Sequence, residues 1–201
     1  MIALTALQIL YGQSIGGAVS IDLASRNPTK VSALILENTF TSLPSLVPHA
    51  LPILGPFSFL CHQKWDSINK IPLIPATTPI LMLSGVKDEI VPKEHMRALW
   101  EAIARRGEKR TVNGSVFKAG LERAKFMEFA NGSHSELSLG GWMRVIDPFS
   151  DDTCTQAGYW TRVSEFVASL DKLQNEKDVE EQPAAFKKNQ RSSSTSSSDS
   201  S

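Results

Sequence analysis

Cysteine is scarce in this 201-residue chain: Cys61 and Cys154 are the only two, and they lie far apart. Neither belongs to the paired spacing of a zinc site, and the four histidines are scattered, so no metal or other cofactor is expected. Two reduced thiols fit better than a disulfide framework, with a single bridge left open. Net charge is lacking too. The 21 basic and 21 acidic residues cancel, which gives no reason to expect nucleic acid or an anionic membrane as partner. There is no secretory signal, since the segment after Met1 has no basic start. No apolar run reaches the roughly 20 residues of a membrane span. The most apolar stretch, "SLPSLVPHALPILGPFSFL", carries Pro44, Pro48, Pro52 and Pro56, and prolines this dense are expected to break any helix.

What remains is an alternation of short apolar runs and helical patterns. Ala6–Tyr11, "VSALILE" (Val31–Glu37), "PILMLSG" (Pro79–Gly85) and "KFMEFA" (Lys125–Ala130) read as strands, and their continuous apolar character fits a parallel sheet covered on both faces. Ile15–Arg26 reads as a helix stopped before Asn27-Pro28. "KEHMRALWEAIARR" reads as a second, with Pro92 in its first turn and Gly107 as its stop. Tyr159–Leu173 is amphipathic, with Trp160, Val163, Val167 and Leu170 on one stripe. The expected fold class is therefore α/β, one domain over residues 1–173. Residues 174–201, charged and then serine-rich, are expected to be a disordered tail.

The chemistry sits in "LYGQSIGGAV". Gly12-Gln13-Ser14-Ile15-Gly16 is a G-x-S-x-G pentapeptide between a predicted strand and a predicted helix, the setting of a nucleophile elbow. There the serine takes a strained backbone at the top of the sheet, and strand and helix approach so closely that Gly12 and Gly16 are expected to be obligatory. The helix N-terminus would favour negative charge, and the Ile15 N–H would serve as one oxyanion donor. The alternative is a glycine-rich turn without catalysis.

An elbow serine needs a base and an orienting acid, in the chain order serine, acid, histidine. Asp88, in "SGVKDEIVP", follows the third strand, with Glu89 as its rival. His134, in "FANGSHSE", follows the fourth. His49 and His62 lie in the proline-rich stretch and His95 inside a predicted helix, which leaves His134 the better base. Ser14, Asp88 and His134 all fall at the carboxyl edge of the expected sheet, where such sheets build their sites.

The blocks "YGQSIGGAVSIDLASRNP", "ILENTFTSLPSL", "PILMLSGVKDEIVPKEHM" and "FANGSHS" together resemble the α/β-hydrolase superfamily, and most of all its branch named for bud emergence and cell polarity in fungi, related to the animal α/β-hydrolase-domain proteins. The resemblance implies Ser14 as nucleophile, Asp88 as orienting acid and His134 as general base. It also implies hydrolysis of esters or thioesters, with small-molecule or acylated, acyl-protein or lipid-like substrates. Activity that rests on a neutral imidazole falls as pH drops through roughly 6–7, where an ordinary histidine takes up a proton. Members are often tied to membranes by an N-terminal apolar anchor, which is not present in this sequence.

Two departures are visible. Thirteen residues precede Ser14, so the upstream strands of the family and the loop with the second oxyanion donor are not encoded here. The chain reads as a carboxyl-terminal half, and an inactive fragment acting only by binding is the rival expectation. Beyond His134, "DDTCTQAGYW" continues the family pattern after a displacement, which marks Glu136 to about Ser150 as an insertion or an ordinary surface loop. The segment 38–66 occupies the place of a cap, where Leu46, Leu51, Ile53, Leu54, Phe57 and Phe59 would line an acyl-binding surface or cover the sheet. A glycan on the sequon asparagine Asn131 would crowd His134, which favours an intracellular location.

Overall fold

The computed structural model describes residues 7–50, 64–107, 110–112, 115–117, 119–134 and 153–180. Four parallel strands form the central sheet: β1 (Ile9–Gln13), β2 (Ala33–Glu37), β3 (Ile80–Gly85) and β6 (Ala124–Phe129), side by side in that order. Between them run α1 (Ile15–Arg26), α2 (Leu43–Ala50), α3 (Ser67–Lys70) and α4 (Lys93–Ile103). A small antiparallel pair, β4 (Arg110–Val112) and β5 (Ser115–Phe117), stands apart, and α5 (Tyr159–Glu180) follows. Contacts divide the chain into Met1–Val163 and Ser164–Ser201, and the described part of the second unit is the remainder of α5.

Strands β2 and β3 are buried at every position, as continuous apolar sequence requires of strands covered on both faces. Leu34, Leu36, Ile80 and Met82 point to one face and pack with Ile21 and Ala24 of α1 and with Met96, Leu99, Ala102 and Ile103 of α4. Each such fully buried aliphatic side chain contributes about 1.5–3 kcal/mol. Small residues let α1 lie close to the sheet: Gly17, Ala18, Ser20 and Ala24 are its buried positions beside Ile21. The Asn27 N–H bonds back to Leu23 and Ala24, and Pro28 prevents another turn.

Several boundaries differ from the expected ones. β1 extends through Gln13, because Gly12 and Gln13 pair in register with Leu36 and Glu37, whereas glycine in the sequence reads as turn. The described start of the proline-rich segment does form a helix. In α2, Pro44 sits in the first turn, where its missing N–H costs nothing, and only Pro48 interrupts the interior. Residues 51–63 of that segment lie outside the described residues, and with them Leu51, Ile53, Leu54, Phe57 and Phe59. Leu46 is buried with Ala18, Phe40 and Val91, so it covers core.

α5 continues to Glu180, past residue 174 where the tail was expected to begin. Within α5 the buried positions are Tyr159, Phe166 and Leu170, while Trp160 is 66% exposed. The proposed insertion from Glu136 to about Ser150 and residues 181–201 lie outside the described residues. Arg106, expected in the last turn of a helix, lies just past the end of α4, is buried and donates to the carbonyls of Pro75, Thr78 and Gly120, tying α4 to the entries of β3 and β6.

Candidate active site

Ser14 is the single residue between β1 and α1, at φ 53° and ψ −122°. A residue with a Cβ in such a conformation carries strain of about 1–3 kcal/mol and persists only where neighbours fix it. Three bonds do so. The Ser14 N–H donates to Glu37 O (3.0 Å), and its carbonyl accepts from Thr39 Oγ1 (2.7 Å) and from the Gly17 N–H (3.1 Å). Serine at a helix start ordinarily spends its hydroxyl on a capping bond, but Ser14 makes none. Its Oγ therefore remains free of the helix it precedes. Ile15 is the first helical residue, so its N–H is among the donors an α-helix cannot use internally.

The glycines behave unequally. A Cβ on Gly12 would lie 2.3 Å from Gly16 O and 2.6 Å from Gly17 N, so strand and helix do approach as an elbow demands. A Cβ on Gly16, however, would meet nothing within 4 Å among the described residues. The expectation that Gly16 must be small is corrected on this point: its backbone is what the close approach uses, and its side-chain direction is open. The second tight glycine is Gly17, where a Cβ would lie 2.5 Å from that of Thr39.

Asp88 and His134 meet directly. Asp88 Oδ2 lies 2.8 Å from His134 Nδ1, and the two side chains are 1% and 7% exposed. The other carboxylate oxygen, Oδ1, accepts the N–H groups of Ile90 (2.9 Å) and Val91 (2.7 Å), which locks the carboxyl group in its turn. An ionised carboxylate only accepts hydrogen bonds, so Nδ1 is the nitrogen that carries a proton toward Asp88. The loop carrying the histidine is pinned to the acid's loop: Lys87 N–H donates to Gly132 O (2.9 Å) and Val86 N–H to Phe129 O (3.0 Å).

Glu89 is exposed and is not the histidine's partner. His95 is buried in α4 against Thr41, His49 lies on α2, and His62 falls outside the described residues. The structure thus joins Asp88 and His134 and sets Ser14 at the same carboxyl edge of the sheet, without a hydrogen bond from Ser14 Oγ to the imidazole. Among the described residues no group of three or more histidine, cysteine, aspartate or glutamate side chains gathers to hold a metal, and no helix is long and apolar enough to cross a membrane.

Three neighbours escaped sequence reasoning. Thr39, two residues past the end of β2, holds the Ser14 carbonyl. Glu37, buried at the end of β2, accepts the hydroxyls of Tyr11 and Tyr159, both at 2.5 Å. Burial first, and this carboxylate second, push both phenols up from their ordinary range. Asn38, at φ 41°, is the third. A polar pair directly after five buried strand residues was the available signal, since buried polar groups must find partners.

Among curated relatives, an uncharacterized membrane protein of Saccharomyces cerevisiae is 35% identical over 159 residues, 79% of this chain and 45% of that protein. Protein bem46 of Schizosaccharomyces pombe is 39% identical over 143 residues, 70% of this chain and 42% of that protein. The alpha/beta hydrolase domain-containing protein WAV2 of Arabidopsis thaliana is 36% identical over 149 residues, 68% of this chain and 43% of that protein. The chain spans somewhat less than half the length of these relatives. No family model matches it. With its elbow, its parallel sheet flanked by helices and these relatives, the chain is related to the α/β-hydrolase superfamily.

Proposed function

We propose that the chain is a serine hydrolase of acyl esters or thioesters, with Ser14 as nucleophile, His134 as general base and Asp88 as orienting acid. The observation that carries this reading is the buried 2.8 Å contact between Asp88 Oδ2 and His134 Nδ1, at the sheet edge where β1 ends in the strained Ser14. His134 Nε2 takes the Ser14 Oγ proton as the oxygen attacks the acyl carbonyl, and Asp88 holds the resulting imidazolium. The Ile15 N–H, aided by the N-terminal end of α1, donates to the oxyanion. The imidazolium then protonates the leaving alcohol or thiol, and water activated by the same imidazole releases the acyl group. Acyl-protein and lipid-like substrates belong to this reading through the resemblance in sequence.

Fluorophosphonate labelling of the full chain tests it, with Ser14→Ala alongside. Labelling of the wild type that vanishes in the variant is the expected result. A chain that is folded by circular dichroism yet stays unlabelled overturns the reading, and leaves a protein that acts by binding alone.

A further inference from the structure

The strand ends that carry Asp88 and His134 meet on one buried amide, that of Asn38. Asn38 follows Glu37, whose carbonyl receives the Ser14 N–H. The Asn38 N–H donates to Leu83 O (3.1 Å), and its Oδ1 accepts the Gly85 N–H (2.8 Å), three residues before Asp88. Its Nδ2 donates to Ser133 O (3.2 Å), the carbonyl just before His134, and to Thr153 Oγ1 (2.9 Å). Thr153 completes the arrangement, giving both its hydroxyl (2.8 Å) and its N–H (3.2 Å) to the same Ser133 carbonyl.

Asn38 is 1% exposed and Thr153 fully buried. Every hydrogen-bonding group of the amide is used, and its orientation follows from the partners. Flipped, the oxygen would face the Ser133 carbonyl and the NH₂ group would face the Gly85 N–H. The fit is tight as well: a Cβ on Gly85 would lie 2.4 Å from both Gly132 O and Thr153 Oγ1. Asparagine suits this place twice over, since it tolerates φ 41° better than most side chains and supplies one acceptor and two donors.

We propose that Asn38, with Thr153 as its partner, is a positioning residue that sets the loop of His134 against that of Asp88. Its catalytic consequence rests on the triad reading, whereas its effect on the Asp88–His134 contact does not.

The test uses the full chain with Asn38→Asp, Thr153→Val and Thr153→Ser. An aspartate at 38 keeps size and backbone tolerance but turns an acceptor toward the Ser133 carbonyl. Valine at 153 keeps shape without the hydroxyl, and serine restores it. The first readout is the low-field proton resonance of the imidazole Nδ1–H bonded to Asp88, assigned by its loss in His134→Gln. The second is the rate of fluorophosphonate labelling. Wild type and Thr153→Ser should show the resonance, while Asn38→Asp and Thr153→Val should lose it and label roughly 10–100-fold more slowly, the penalty of misplaced reacting groups.

Retention of both the resonance and the full labelling rate in Asn38→Asp and Thr153→Val overturns the proposal. Should Asn38→Asp fail to fold, the contrast between valine and serine at 153 decides it. A wild type that shows the resonance but never labels defeats the hydrolase reading, and the resonance alone then decides the positioning role.

Discussion

The two halves of the site are built differently. At the Asp88–His134 corner both side chains are buried, each carboxylate oxygen is occupied, and the bonds run between loops from neighbouring strands. The Ser14 elbow sits on β1, which among the described residues pairs on one side only. Around it Tyr11 is 53% exposed, Ile15 52%, Val19 41% and Leu23 45%. His134 and Asp88 are thus organised by interior polar packing, while Ser14 is organised by backbone geometry. A site divided in this way should fail in two ways: through charge and tautomer at the corner, and through sterics at the elbow.

Charge at the corner gives the largest expected effect. Asp88→Asn leaves the packing nearly unchanged but lets the amide donate to Nδ1, which shifts the imidazole proton to Nε2 and removes the base. On the proposed mechanism the turnover number falls on the order of 10⁴-fold with little change in stability. Glu89→Gln, which alters only an exposed side chain, should leave turnover within about twofold, since surface changes away from such features are small. Steady-state kinetics on an ester that the wild type turns over separates the two, and equal loss in both would remove Asp88 from its role.

Sterics at the elbow come next. Gly12→Ala puts a methyl group into the Gly16–Gly17 peptide, which is backbone and cannot swing away, so a loss of about 1–3 kcal/mol is expected. Gly16→Ala enters open space in the first turn of α1 and should be neutral or stabilising by up to about 1 kcal/mol. Urea denaturation of the two variants measures this contrast. Equal destabilisation would mean that the G-x-S-x-G spacing constrains both glycines, as the sequence alone leads one to expect.

How much was legible follows from the same division. The order serine, acid, histidine and their places after strands could be read because apolar runs mark strands and each residue follows one. The helix Ile15–Arg26 could be read because small residues, an elbow glycine and Asn27-Pro28 bound it on both sides. The partners that hold the corner could not, since Asn38 bonds to Thr153 across 115 residues and no local pattern encodes that meeting. Gly17 was passed over because its demand comes from Thr39, another strand's neighbour. The β4–β5 pair was legible in principle, since Asn113-Gly114 between its strands is a hairpin signal.

The smallest effect comes from comparing the two buried histidines. His134 faces a carboxylate, whereas His95 Nδ1 lies against the Thr41 N–H (3.3 Å) and its hydroxyl (2.9 Å), with the His49 ring 6.0 Å away. Burial first, then the neighbouring His49, hold His95 below the usual 6.5, against an opposing pull from Glu94. The unfolded chain therefore takes up a proton at His95 before the folded one does. Stability from this residue is present above about pH 6.5 and is lost as pH falls from there toward the lower folded value, with a slope of at most about 1.4 kcal/mol per pH unit. His95→Asn keeps a side-chain acceptor near Thr41 and cannot titrate, so its stability should change less between pH 7.5 and 5.5 than that of the wild type. The difference between the two urea midpoints is the quantity to read. Parallel losses would place the acid sensitivity elsewhere, whereas a flatter variant ties it to the joint between α4 and the segment after β2.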